Sequence, residues 1–423
     1  MHALHKILAS RARKGSVQVG EIVNCEVDVA GINDLYPQVM YSFREMNGVK
    51  VRHPGRVLIF LDHYAPASTI RQAENQRQFR AFAREQGIAG LMEVNEGVCH
   101  QVMADKGWSA PGRLMVVTDS HTTTHGAFGA FSTGVGATDL ACILKTGELW
   151  FRVPSVVRIV LEGELPKGVY AKDAILHVIG QAGADYAVYE GVEFSGSLIP
   201  ALSVSERMAL CNMSTEMGAK AAWIQPDNVT FDFLRERGIR DYEVFETDPG
   251  FKYRETRVFD VSQLAPQLAA PYSVDNVKPA EACAGIRVDQ AFLGSCTGGR
   301  LEDIRAAADI LRGRHIHPDT RMLVVPASKA VLEAAIQAGY ITDLVRAGCT
   351  LVSPGCAACL GTHEGLLAEG EVCVSSTNRN FPGRMGHNSG QIYLASPATV
   401  AASALMGEIT DPRGAGWAEG SNG

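Results

Sequence analysis

Short apolar runs that stop abruptly at polar or reactive residues, separated by helix-patterned segments, constrain this chain more than any other feature. Such runs are "RVLIFLDH" (56–63), "RLMVVTDSH" (113–121), "DQAFLGSC" (289–296), "RMLVVPAS" (321–328), "TLVSPGC" (350–356) and "EVCVSSTNRN" (371–380). Between them lie stretches such as "TIRQAENQRQFRAFAREQG" (69–87), "LEDIRAAADILRG" (301–313) and "SKAVLEAAIQAG" (328–339). These end at glycine, as helices often do. Strands without polar alternation are buried on both faces, and their alternation with helices means parallel α/β sheets.

A length of 423 residues leaves room for two or three domains. "RVPSVVRIVLEGELPKG" (152–168) reads as a fresh strand opening a second unit, and the Pro/Ala-rich "LAPQLAAPYSVDNVKPAEACAG" (264–285) as a linker before a third. The expected divisions are 1–152, 153–282 and 283–410, with 411–423 a flexible tail. A net charge of −7 argues against a general nucleic-acid binder. Neither a secretory leader nor an apolar stretch of membrane length is present, so a cytoplasmic protein is expected. In a reducing compartment the ten cysteines are expected as thiols or metal ligands, not disulfides.

In open α/β sheets, ligands bind beyond the carboxyl ends of the strands. Here those ends carry Asp62-His63, Asp119-Ser120-His121, Cys296, Cys356 and Arg379. One polar residue after a strand is an ordinary loop start; five such ends together point to an active site. Cys356 and Cys359 form a C-x-x-C pair, and Cys296 lies about two βα units earlier. The residues themselves leave several readings open: a redox couple, part of a zinc site, three ligands of an iron–sulfur cluster, or buried bystanders. Three thiolates would leave one metal position open, as a Lewis-acid catalyst requires.

"GVCHQV" (97–102), "TDSHTTTHGAFGAF" (118–131), "RMALCNMSTEMGAKAAWIQPD" (207–227), "GSCTGGR" (294–300), "PGCAACLG" (354–361), "STNRNFPGRMG" (376–386) and "ASPATVAASALMGEI" (395–409) resemble the aconitase superfamily. The similarity is greatest to its separate large subunits, the 3-isopropylmalate dehydratases and homoaconitases. It runs in motif order over nearly the whole chain. It implies three doubly wound α/β domains surrounding an iron–sulfur active site. It also implies a hydro-lyase that dehydrates and rehydrates a hydroxy di- or tricarboxylic acid, most simply the isomerisation of isopropylmalate in leucine biosynthesis. Homoaconitase and hydratases or dehydratases acting on maleate, citraconate or dimethylmalate are the alternatives within the class. A zinc-bound scaffold or an RNA-binding regulatory protein is the alternative outside it.

The resemblance carries over Cys296, Cys356 and Cys359 as ligands of one 4Fe–4S cluster with an open iron. Three His–carboxylate pairs carry over as Asp62 with His63, Asp119 with His100, and Glu193 with His121. Arg379 and Arg384, with Ser120 and Asn378, carry over as substrate-binding residues. Chemically these types fit, because a carboxylate fixes the tautomer of an imidazole that moves a proton, and guanidinium forks bind carboxylates bidentately. Single-chain relatives carry a further swivelling domain, so the resemblance implies a separate small subunit here. Gly298 stands where the family usually has Asn beside the cluster.

Overall fold

The computed structural model describes residues 1–361 and 363–415; the end of the expected tail, 416–423, lies outside the described residues. A first unit opens with β1 (Ile22–Glu26) and lays down β2 (Val29–Asn33), β3 (Val57–Phe60), β4 (Gly90–Met92), β5 (Leu114–Val117) and β6 (Phe131–Gly134). It closes with β7 (Glu148–Arg152), which pairs antiparallel with β1 as a separate ribbon. The other five strands form one parallel sheet in the order β4-β3-β2-β5-β6. β3 reads VLIF and β5 reads LMVV, every residue buried, which is why these runs show no polar alternation.

A second parallel sheet, in the order β10-β9-β8-β11, uses β8 (Val156–Glu162), β9 (Gly191–Ser195), β10 (Ala221–Ile224) and β11 (Glu255–Asp260). The third is the largest. It contains β12 (Gln267–Ala269), β13 (Val277–Pro279), β14 (Gln290–Gly294), β15 (Arg321–Val325), β16 (Thr350–Leu351), β17 (Val372–Ser375) and β18 (Gln391–Ala395). Their order is β13-β12-β18-β17-β14-β15-β16, parallel from β14 to β18 with an antiparallel edge at β12 and β13. That edge comes from the 264–285 stretch read as a linker. Leu268 and Ala269 are wholly buried there, and the segment joins the third sheet within the 153–282 span.

The order of the strands positions the site. In the first sheet the chain moves outward from β2 through β3 to β4, then returns to the other side of β2 at β5. In the third it moves from β14 through β15 to β16, then returns beside β14 at β17. Each reversal opens a crevice at the carboxyl ends of the strands. The two crevices face each other: Cys356 N–H donates to Asp62 O at 3.0 Å and Val98 N–H to Ala327 O at 2.9 Å.

The second sheet contributes through the Val204–Met213 helix and the Ser214–Met217 turn. A capping box between Ser203 and Glu206 starts this helix. Arg207, 0% exposed, forks onto Asp227 at 2.6 and 2.7 Å and donates to the carbonyls of Leu202 and Ile199. Arg207→Met removes the cation and strands those acceptors. We expect a loss of about 3 kcal/mol, read as a lower urea midpoint, with Asp227's partial exposure keeping it near the bottom of the range for broken ion pairs. Among the described residues no helix is long and apolar enough to cross a membrane.

Candidate active site

Cys296 follows β14 on a short helical turn, Ser295–Gly298, while Cys356 caps, and Cys359 lies within, the 3₁₀ turn Ala357–Leu360 after β16. All three are nearly buried, at 5%, 6% and 2% exposure, and line one cavity of about 90 Å³. The Ser295 hydroxyl lies 3.8 Å from Cys296 Sγ and 3.4 Å from Cys359 Sγ. Asn378 spans the same two sulfurs, with Nδ2 at 3.5 Å from Cys296 and Oδ1 at 3.8 Å from Cys359. Asn212 donates to Cys296 Sγ at 3.1 Å, and Arg384 Nη2 to Cys359 Sγ at 3.7 Å.

Burial pushes the Cys296 thiol up to about 11. Cys359 is held well below the usual thiol range by its hydrogen bond with Cys356 and by Arg384, while that same bond holds Cys356 protonated. Bare buried thiolates are costly, and a bound cation displaces their protons. Soft sulfur donors ringed by N–H groups, with a guanidinium to offset their charge, suit the expected iron–sulfur centre.

Around the sulfurs lies a proton-handling network. His63 Nδ1 meets Asp62 Oδ1 at 2.8 Å, and its Nε2 lies 3.5 Å from Asp119. Burial opposes charge on His63, but Asp62 and Asp119 outweigh it and hold the imidazole well above its ordinary value. His100 Nε2 lies 3.1 Å from Asp119 Oδ1, which also accepts the His121 N–H at 2.7 Å. The neighbouring histidines similarly outweigh burial at Asp119 and hold its carboxyl well below the ordinary range.

Behind His100 sits His125, with Nε2 3.3 Å from His100 Nδ1 and Nδ1 2.7 Å from Ser109 Oγ. The carboxylate of Asp119 can only accept, so His100 donates to it, His125 donates to His100 and Ser109 to His125, and Asp119 thereby fixes both tautomers. Asp34 supports His63 from the other side by accepting its backbone N–H at 3.0 Å. The triads Cys99–His100–Asp119 and Asp34–Asp62–His63 each gather ligand atoms within 4.8 Å. Cys99 donates its backbone N–H to Asp62 Oδ2 at 2.8 Å and the other members are hydrogen-bonded as described, which makes them parts of this network.

Glu193 is a correction. It sits on β9 in the second sheet, bonded to His2 at 2.7 Å and Tyr253 at 3.0 Å, away from His121. The carboxylate at His121 is Glu216, whose Oε1 is 2.7 Å from His121 Nε2 and 2.8 Å from Arg379 Nε. His121 and Arg379 outweigh burial and keep Glu216 below the ordinary carboxylate range. Glu216 lies with Asn212 in "RMALCNMSTEMGAK", but nothing in that stretch says which histidine it meets. The resemblance alone points to the wrong acid.

Arg379, Arg384 and Ser120 line the cavity with the sulfurs. Arg384 is 8% exposed, and its Nε has no hydrogen-bond partner among the described residues. The loop carrying Asn378 and Arg379 is pinned from below by buried Lys172, which donates to Thr377 O at 2.7 Å. Gly298 packs on the same loop. A Cβ there would fall 2.3 Å from both Cβ and Oγ of Ser376, so a side chain at this position collides with the Ser376 that fills its place.

The sequence model of the Aconitase family (aconitate hydratase) matches residues 6–284 and 274–407. The chain is 48% identical to 3-isopropylmalate dehydratase large subunit 1 of Methanopyrus kandleri, over 96% of this chain and 98% of that one. It is 52% identical to a probable methanogen homoaconitase large subunit of Methanosarcina mazei, over 88% of this chain and 94% of that one. The 3-isopropylmalate dehydratase large subunit of Aquifex aeolicus is 43% identical, with 97% of each chain covered. Among solved structures, aconitase X of Thermococcus kodakaraensis superposes with a TM-score of 0.53 over 89% of each chain, at 13% identity, a likeness of fold.

Proposed function

The chain belongs to the aconitase family of hydro-lyases, and from that premise we propose that it is the catalytic large subunit of a 3-isopropylmalate dehydratase-type enzyme. The observation that carries this reading is the meeting, at one cavity, of three buried cysteines, carboxylate-paired histidines and two arginines. Cys296, Cys356 and Cys359 would hold a 4Fe–4S cluster, whose iron without a cysteine supplies Lewis acidity at the substrate hydroxyl. Arg384 offers an uncommitted donor to a substrate carboxylate, and Arg379 a second guanidinium oriented by Glu216. His63, held charged between Asp62 and Asp119, carries the proton that releases the hydroxyl as water, while the proton lost from the neighbouring carbon as the double bond forms goes to a base of the small subunit. His100 and His121, both bonded to Asp119, keep that carboxylate ionised as His63 loses its charge.

A separate small subunit completes the site in this reading, in keeping with the "large subunit" names of the relatives. A cytoplasmic location goes with it, since a thiol-held cluster needs a reducing compartment. The similarity to a probable homoaconitase favours homocitrate-type acids as the second reading.

The test is anaerobic purification with the small subunit, metal analysis, and turnover of a panel of hydroxy-diacids. About four irons per large subunit with reversible dehydration of 2-isopropylmalate is the expected result. Stoichiometric zinc without turnover would end the hydro-lyase reading.

A further inference from the structure

A second cavity, of about 570 Å³, shares no lining residue with the catalytic one. It lies between the second and third units, where four helices begin: Ala171–Ala182, Val204–Met213, Leu301–Leu311 and Pro397–Met406. Cavities of this size at such junctions are common ligand sites. The wall between the two cavities is thin. Cys296 lines the catalytic cavity and Thr297 this one. Arg300, only 2% exposed, lines the second cavity beside Thr297. Its Nε donates to Gln101 Oε1 at 3.1 Å and its Nη2 to the carbonyl of Cys296, which leaves Nη1 without a partner among the described residues.

The other charges of the lining fall into two sets. Some are spent: Asp303 on the Arg300 backbone N–H, Asp309 on Arg312, and Lys172 on the carbonyls of Ser376 and Thr377. The rest leave each other unpaired. Lys167 and Arg305, both exposed, make no hydrogen bond or ion pair among the described residues. Ser203 gathers Glu206 and Glu302, giving its backbone N–H to one at 3.0 Å and its hydroxyl to the other at 3.2 Å. Neither of these carboxylates has an ion-pair partner among the described residues.

We propose that this cavity binds a small α-amino acid as its zwitterion, with the carboxylate on Arg300 Nη1 and the ammonium on Glu206 and Glu302. A simple anion would meet two unpaired acids, and a simple cation three cations with free donors. A ligand bearing both charges satisfies both sets. Lys167 and Arg305 draw its carboxylate inward from the rim. Ala209, Ala306 and Pro397 supply apolar wall, which suits an apolar side chain. Occupancy bears on the catalytic cavity, because the same guanidinium holds Cys296 and Gln101, the neighbour of His100.

The experiment is isothermal titration of the anaerobically assembled two-subunit enzyme with L-leucine and L-phenylalanine. Each is compared with the carboxylic acid that lacks its ammonium and the amine that lacks its carboxylate. At least one amino acid should bind at least about tenfold more tightly than either of its single-charge analogues. Glu302→Gln, which can still accept from Ser203, should weaken that binding at least about tenfold while leaving basal turnover within about twofold. Saturating amino acid should change kcat/KM for 2-isopropylmalate by about 5- to 150-fold. Failure of both amino acids to bind, equal binding of an analogue, or undiminished binding by a folded Glu302→Gln enzyme would overturn the assignment. Binding with unchanged kinetics would overturn the link through Arg300. No turnover of any hydroxy-diacid would remove the hydro-lyase reading, and the titration would still decide the site.

Discussion

Cys296→Ser yields a folded chain that has lost its iron and, with the small subunit present, at least about a thousandfold in activity, or about 4 kcal/mol of transition-state stabilisation. The reason is local. Three sulfurs share one cavity, and amide donors from Asn212 and Asn378 converge on Cys296 Sγ at 3.1 and 3.5 Å. A hydroxyl keeps its proton more firmly than a thiol and is a harder, poorer partner for an iron–sulfur centre. Cys211→Ala is the matched control. Cys211 is buried in an apolar cluster on the Val204–Met213 helix, where burial keeps its thiol protonated. That variant should retain iron and activity. Iron and sulfide per chain, with the visible absorbance of the purified protein, decide the matter; a Cys296→Ser protein with a full complement of iron would remove Cys296 from the ligand set.

Glu216→Gln lowers kcat/KM by about 10²- to 10⁴-fold, or about 3 to 5 kcal/mol, the range expected when a proton-handling pair loses its charge. One carboxylate oxygen holds both His121 Nε2 and Arg379 Nε, so the substitution unseats an imidazole and the guanidinium proposed to bind substrate together. Burial disfavours charge on His121, yet Asp119 and Glu216 raise it above its ordinary value. With the native carboxylate this imidazole therefore stays charged to higher pH than a free histidine, and loses its proton as pH rises through the raised value. Removing Glu216 lowers that value, so the alkaline limb of the pH profile should move to lower pH. Glu193→Gln is the counterpart. It sits in the second sheet with His2 and Tyr253, and should cost about 1 to 3 kcal/mol of stability with less than about threefold change in kcat/KM. Should Glu193→Gln abolish activity while Glu216→Gln spares it, the pairing drawn from the structure is wrong.

Much of the architecture was legible because its causes are short-range. β3 and β5 announce themselves as uninterrupted apolar runs, since both faces of a parallel strand are buried. The Ile70–Gln86 helix carries its own start and stop, a Thr69–Gln72 capping box and Gly87 at φ 70°. The β12–β13 edge was not legible. Prolines and alanines read as linker, and only pairing with β18 gives Leu268 a place in the core. At the site, Asp62 and His63 are adjacent in sequence, so their pairing needed little tertiary help. His125 and Ser109 carry no sequence signal of their own, because a buried histidine looks like core until its neighbours are known.

By itself the sequence determined the α/β class, the motifs of the family and the residue types gathered at the strand ends. These follow from hydrophobic burial, helix capping and turn chemistry, which act over a few residues. Only the tertiary structure decided which acid serves which base. His121 and Glu216 stand 95 positions apart, and nothing along the intervening chain favours that carboxylate over Glu193. Their meeting depends on how the 204–213 helix packs against the turn after β5. That is a matter of shape and burial between sheets, set by the folded whole and by no local preference.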